Sequence, residues 1–155
     1  MNMTAETRNY VLDISTDLFQ LSTESLRLHS NETLQYETLE SLIERRAASD
    51  CFKNEHRTDT LRRHLGAIPT EGKVRIQFNI LTTSAESLDE ACEYLTLQLG
   101  SAVTVGDVLS VMLFDYVAEK KATQVLNQIG LGERTQSGGN FAPSETGSEN
   151  VIPFR

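Results

Sequence analysis

The residues predict a mainly α fold with one short strand: an N-terminal helical unit over residues 4–66, a strand–helix–helix module over 73–130, then a tail over 131–155. Three observations carry that prediction. Apolar side chains return every three or four positions along most of the first 129 residues, which is the period of a helix face. One segment alone, Lys73–Ile80, alternates strictly, with Val74, Ile76, Phe78 and Ile80 on one side and Lys73, Arg75, Gln77 and Asn79 on the other. From Leu131 onward the composition turns to Gly, Ser, Thr, Asn and Glu with two prolines. That is too little apolar surface to offset ordering entropy, so a flexible tail is predicted.

Residues 4–29 read as a helix. Val11, Ile14, Leu18, Leu21 and Leu28 fall three or four apart with Ser25 in the remaining slot, and Leu12, Phe19 and Leu26 widen the stripe. A second helix is predicted from about Thr33 to Ala48 through Leu34, Leu39, Leu42 and Ile43. A polar connection leads to a short helix from Thr58 to Leu65, which Gly66 would end as a left-handed cap. Pro69–Gly72 reads as a turn. After the strand, Thr83-Ser-Ala-Glu86 has the form of a capping box. The helix it opens runs to about Leu99 on Leu88, Ala91, Cys92 and Leu95, and Gly100 closes it. Thr104-Val-Gly-Asp107 marks another helix start, with a threonine cap and an acid in the first turn. No internal repeat is expected.

The 155 residues carry a formal net charge of -8, which excludes the coating of nucleic acid through bulk positive charge. The charge is uneven, however. Residues 44–75 hold eight of the 14 lysines and arginines, whereas residues 1–43 hold two basic and seven acidic side chains. The basic stretch reads either as a solvated face or as an anion-binding strip. Cys51 and Cys92 make no disulfide framework, and His29, His56 and His64 lack ligand spacing, so no metal or other cofactor is expected. No Ser/His/Asp set, HExxH or paired-carboxylate motif is present, and no enzymatic activity is expected. No run of about 18 apolar residues exists and Met1–Tyr10 lacks the blocks of a signal peptide, so a cytoplasmic protein without a membrane partner is expected.

A single amphipathic strand leaves its backbone donors and acceptors unpaired on both edges. The simplest remedy is a second copy of the chain, giving a two-stranded antiparallel ribbon across a twofold axis. Such a ribbon fits the major groove of B-DNA. Arginine and lysine there donate to guanine, while glutamine and asparagine pair bidentately with adenine. A strand with alternate polar residues, a helix closed by Gly100, a Ser101–Val103 turn and a helix opened by Thr104 resembles the ribbon-helix-helix (Arc/MetJ/CopG-type) DNA-binding family over residues 73–120. The resemblance implies base reading by Arg75, Gln77 and Asn79, and phosphate contacts from Thr104, Val105 and Gly106 at the helix start, with Lys73 a backbone contact.

The expectation is therefore a homodimeric, sequence-specific binder of double-stranded DNA, acting in transcription regulation or as an accessory factor of a phage or mobile element. The N-terminal helices or the C-terminal Val151–Arg155 would meet any protein partner. The rival expectation is an acidic adaptor or chaperone that binds protein and no DNA. A third is a decoy whose acidic faces imitate DNA.

Overall fold

The computed structural model describes residues 5–49 and 58–130. Among these residues the order is β1 (Thr7–Ile14), α1 (Thr16–Thr33), α2 (Leu39–Ala48), α3 (Thr58–Ala67), β2 (Val74–Leu81), α4 (Thr82–Leu99) and α5 (Val105–Gln128). The fold is mostly helical, with one short two-stranded antiparallel sheet. Met1–Lys120 forms one compact unit and Lys121–Arg155 a second, whose described part is the end of α5 and the turn at Gly130. The tail from Leu131, Val151–Arg155 within it, and Cys51 and His56 lie outside the described residues.

The helix expected over residues 4–29 divides at Ser15, and its first part is a strand. Arg8, Tyr10, Leu12 and Ile14 point inward while Thr7, Asn9, Val11 and Asp13 are exposed. The three-and-four spacing of Val11, Ile14 and Leu18 was an overlap of two patterns: an alternating strand to Ile14 and a helix face from Leu18. Ser15 separates them by accepting a hydrogen bond from the Leu18 amide at 2.9 Å, so a new helix starts there. β1 pairs with β2 in antiparallel register, from Thr7 opposite Leu81 to Ile14 opposite Val74. The second strand that β2 needs is thus inside the same chain, and hydrogen-bond accounting no longer calls for a second copy. The strand count corrects from one to two.

Smaller differences follow from caps. α3 passes through Gly66 to Ala67, and Gly66 does not adopt the left-handed conformation that Gly100 (φ 73) and Gly130 (φ 77) do. α4 begins at Thr82, directly after β2, with Leu81 as its cap residue and no side-chain cap bond; the capping box expected at Thr83–Glu86 does not form. α2 begins at Leu39 rather than Thr33, because Leu34 in the left-handed region (φ 60) ends α1 first.

A shift of 66 residues superposes the first part of the chain on the last. It carries the cap residue Ser15 onto Leu81, and the left-handed Leu34 onto Gly100. It also carries the reciprocal cap of α2 (Thr38, Ser41) onto that of α5 (Thr104, Asp107). Ser30 Oγ accepts from the Glu37 amide at 3.0 Å, and Thr96 Oγ1 from the Val103 amide at 3.1 Å, again 66 residues apart. Buried Leu18, Ser22, Ser25, His29, Leu42 and Ile43 correspond to buried Ser84, Leu88, Ala91, Leu95, Val108 and Leu109. In the sheet, Val11 faces Gln77, its own counterpart, so the strand register is symmetric about that pair. The chain is therefore a tandem of two strand–helix–helix halves. Sequence alone hid the repeat because few residue types coincide, and the match lies in burial and capping.

Each half packs on the other. α2 lies on β2 and α4. α5 meets α1 through the Tyr116–His29 ring pair and the Lys120–Glu32 ion pair at 2.6 Å. The larger core cluster takes Phe78, Ile80, Leu88, Leu95, Leu109 and Met112 with Ile43 and Leu61; the smaller takes Ile14, Leu18, Leu28, Leu42, Leu113 and Tyr116. The connection between the halves ends in a close crossing. Thr70 O accepts from Ser15 N and Asp13 O accepts from Gly72 N, so Thr70–Gly72 lies along the outer edge of β1 before the chain enters β2. A Cβ at Gly72 would stand 2.5 Å from Ser15 Cα, so only glycine passes there.

Candidate nucleic-acid interface

The inward faces of β1 and β2 cover α4, as the stacked rings of Tyr10 and Phe78 illustrate, with centroids 5.0 Å apart. The opposite face of the ribbon is left to solvent because strand side chains alternate. Arg75, Gln77 and Asn79 are all exposed on it, and Lys73 is exposed just before β2. Sequence reasoning missed the other half of this surface: Thr7, Asn9, Val11 and Asp13 of β1 are exposed on the same face. The signal available for it was the alternation in Arg8-Asn-Tyr-Val-Leu-Asp-Ile14, masked by the helical spacing that crosses it.

The exposed array is internally bonded. Arg75 grips Asp13 in a two-pronged ion pair, Nε to Oδ1 at 2.8 Å and a second guanidinium nitrogen to Oδ2 at 3.1 Å. The hydrogen bond holds the Asp13 carboxyl below its ordinary range and raises the Arg75 guanidinium. Gln77 donates to Asn9 Oδ1 at 3.2 Å. Both pairs are exposed, so each exchanges readily with water or a ligand at modest cost. Asn79 keeps its side chain outward, while its backbone N–H donates to Glu40 at 3.4 Å and that of Leu81 to Glu44 at 2.8 Å. The two α2 carboxylates thereby cover the edge of β2 that β1 leaves open.

Thr104, Val105 and Gly106 open α5 beside the end of β1. They line a cleft of about 230 Å³ together with Asp13, Glu71 and Thr70. The first-turn amides of a helix lack intrahelical partners and favour anions. Here a carboxylate already meets part of that demand. Asp107 N–H donates to Thr104 Oγ1, Thr104 N–H donates to Asp107 Oδ2, both at 3.1 Å, and the Thr70 hydroxyl donates to Asp107 Oδ1 at 2.7 Å. The equivalent start of α2 carries Glu37 and Glu40. Glu37 is pulled down to about 2 by hydrogen bonds from Gln35, Thr33 and Ser41. The structure thus brings Arg75, Gln77 and Asn79 onto one face, and sets Thr104–Gly106 at one end of the ribbon among acids.

Two other clusters stand apart from this face. His64 Nε2 and Ser110 Oγ are 2.8 Å apart, but Ser110 is fully buried, so the pair ties α3 to α5. Burial pushes the His64 imidazole down. Among the described residues no group of three or more His, Cys, Asp and Glu side chains is placed to hold a metal, and no helix is long and apolar enough to cross a membrane. Comparison with protein-family models, curated proteins and solved structures finds no match to this chain.

Proposed function

We propose that this chain is a single-chain counterpart of the ribbon-helix-helix dimer and binds double-stranded DNA through the outward face of its ribbon. The observation that carries the reading is the symmetric pairing of β1 and β2, each followed by an 18-residue helix, a left-handed turn and a threonine-capped helix. That order puts two sets of exposed polar side chains side by side at the width of a major-groove reader. Arg75, Gln77 and Asn79 read bases, with Asn9, Val11 and Asp13 added from β1; Lys73 and the α5 start at Thr104–Gly106 contact the backbone. The activity is binding alone, in regulation of transcription or as an accessory to DNA processing.

The test is a duplex retention assay across salt concentrations. A specific complex loses affinity steeply as salt rises, and Arg75→Ala costs about 1–3 kcal/mol at one base position. Absence of retention at low salt would overturn the reading.

One observation favours a second reading. Asp107 and Glu71 beside the α5 start, and Glu37 and Glu40 at the α2 start, are the wrong sign for phosphate. In that reading the same face is an acidic adaptor surface that docks a basic protein segment, and capture of a basic peptide together with no retention of duplex DNA at low salt separates the two.

A further inference from the structure

We infer that the DNA target is a non-palindromic site bound by one chain, and that the two strands read different half-sites. The inference rests on the DNA-binding reading proposed above and deepens it. A ribbon made of two identical strands offers each base-reading side chain twice, related by a twofold axis, and so matches an inverted repeat. Here the axis passes between Val11 and Gln77, which are one position in the 66-residue repeat and different in chemistry. Moving outward, the repeat places Asn9 where the other strand has Arg75, Asp13 where it has Asn79, and Thr7 where it has Lys73.

The two outward rows therefore ask for different base edges. Lys73, Arg75, Gln77 and Asn79 are rich in donors and suit guanine and adenine. Thr7, Asn9, Val11 and Asp13 include a carboxylate, which accepts from cytosine N4, and an isopropyl group, which packs on a thymine methyl. Val11 is half exposed at 50%, an apolar group at the centre of a polar face. The flanks are unequal as well. α2 sets Glu40 and Glu44 against the edge of β2, whereas the α5 start has Gly106 at the position of Glu40 and carries its acids, Asp107 and Glu71, elsewhere, so the two ends of the ribbon place their charges differently. Because both strands belong to one chain, no second copy is needed to complete the reader.

The test is selection of bound sequences from random duplex DNA with the full chain, joined to a measurement of chains per duplex. The expected result is a motif whose two halves are not inverted copies, at one chain per duplex, and about tenfold or greater weakening when either half is replaced by the inverted copy of the other. A symmetrised variant, Thr7→Lys with Asn9→Arg, Val11→Gln and Asp13→Asn, then selects an inverted repeat. All four positions are exposed, so its unfolding midpoint serves as the check that it folds. An inverted repeat selected by the wild type, or two chains per duplex, overturns the inference and leaves DNA binding standing. No enrichment by the wild type together with no retention at low salt overturns DNA binding itself, and the inference with it.

Discussion

The two halves have the same backbone plan and unequal interiors. In the first, the inward positions of α1 include Ser22, Ser25 and His29; in the second, the same positions of α4 hold Leu88, Ala91 and Leu95. The serine hydroxyls of α1 turn back on their own helix, Ser22 to Phe19 O at 2.6 Å and Ser25 to Leu21 O at 2.8 Å, so they spend their hydrogen bonds locally and bring little apolar area. His29 is buried edge-on to Tyr116, and its Nδ1 has no hydrogen-bond partner among the described residues. The second half thus supplies most of the apolar core, and the first half supplies the strand that completes the ribbon. A shared fold plan does not require equal contributions to stability.

The largest test of this inequality is a matched pair. Leu88→Ala removes a fully buried side chain from the larger cluster and should cost about 2–5 kcal/mol in denaturant unfolding. Ser22→Ala, its counterpart, should change stability by less than about 1 kcal/mol. Equal losses would break the comparison. Next comes the crossing between the halves, where Gly72→Ala drives a Cβ against Ser15 and Ile14 and should cost about 1–3 kcal/mol by the same measurement. A wild-type midpoint in that variant would mean the linker is free to move aside.

The left-handed turns give a mirrored prediction. Leu34→Gly should stabilise by about 1 kcal/mol and Gly100→Ala should destabilise by a similar amount, since only the second half has the residue its φ favours. Thermal midpoints moving in the same direction would contradict this. The smallest effect is acid sensitivity. Glu37, which corresponds to Val103, is held down to about 2 from an ordinary 4.5 by its hydrogen bonds. A depressed value in the fold means that its stabilisation is present above pH 4.5 and is lost as pH falls toward 2. The midpoint difference between wild type and Glu37→Gln should therefore shrink across that window, and a flat difference would remove the assignment.

What the sequence made legible follows from how locally each feature is encoded. β2, the closure of α4 at Gly100 and the α5 start at Thr104 rest on side chains within one turn of the feature, and all three stand where the residues put them. β1 does not, because Tyr10-Val-Leu-Asp-Ile14 satisfies both periods and its pairing with β2 lies some 60 residues away. The β2 face of the candidate site was readable and the β1 face was not, for the same reason. The missed repeat is of the same kind: Ser15 with Leu81 and Leu34 with Gly100 perform one backbone task with unlike side chains.

The distance along the chain between the paired strands also sets an order of events during synthesis. β1 is synthesised some 60 residues ahead of Val74–Leu81, and at about 5–20 residues per second the delay is several seconds. Throughout that interval β1 has a bare edge, and the apolar sides of Tyr10, Leu12 and Ile14 lack their cover from the helices of the second half. Asn9 and Asp13, on the other side of the nascent strand, help to discourage mispairing with a neighbouring chain. The polar side chains proposed for recognition would then have an earlier use, keeping the first strand soluble until its partner emerges.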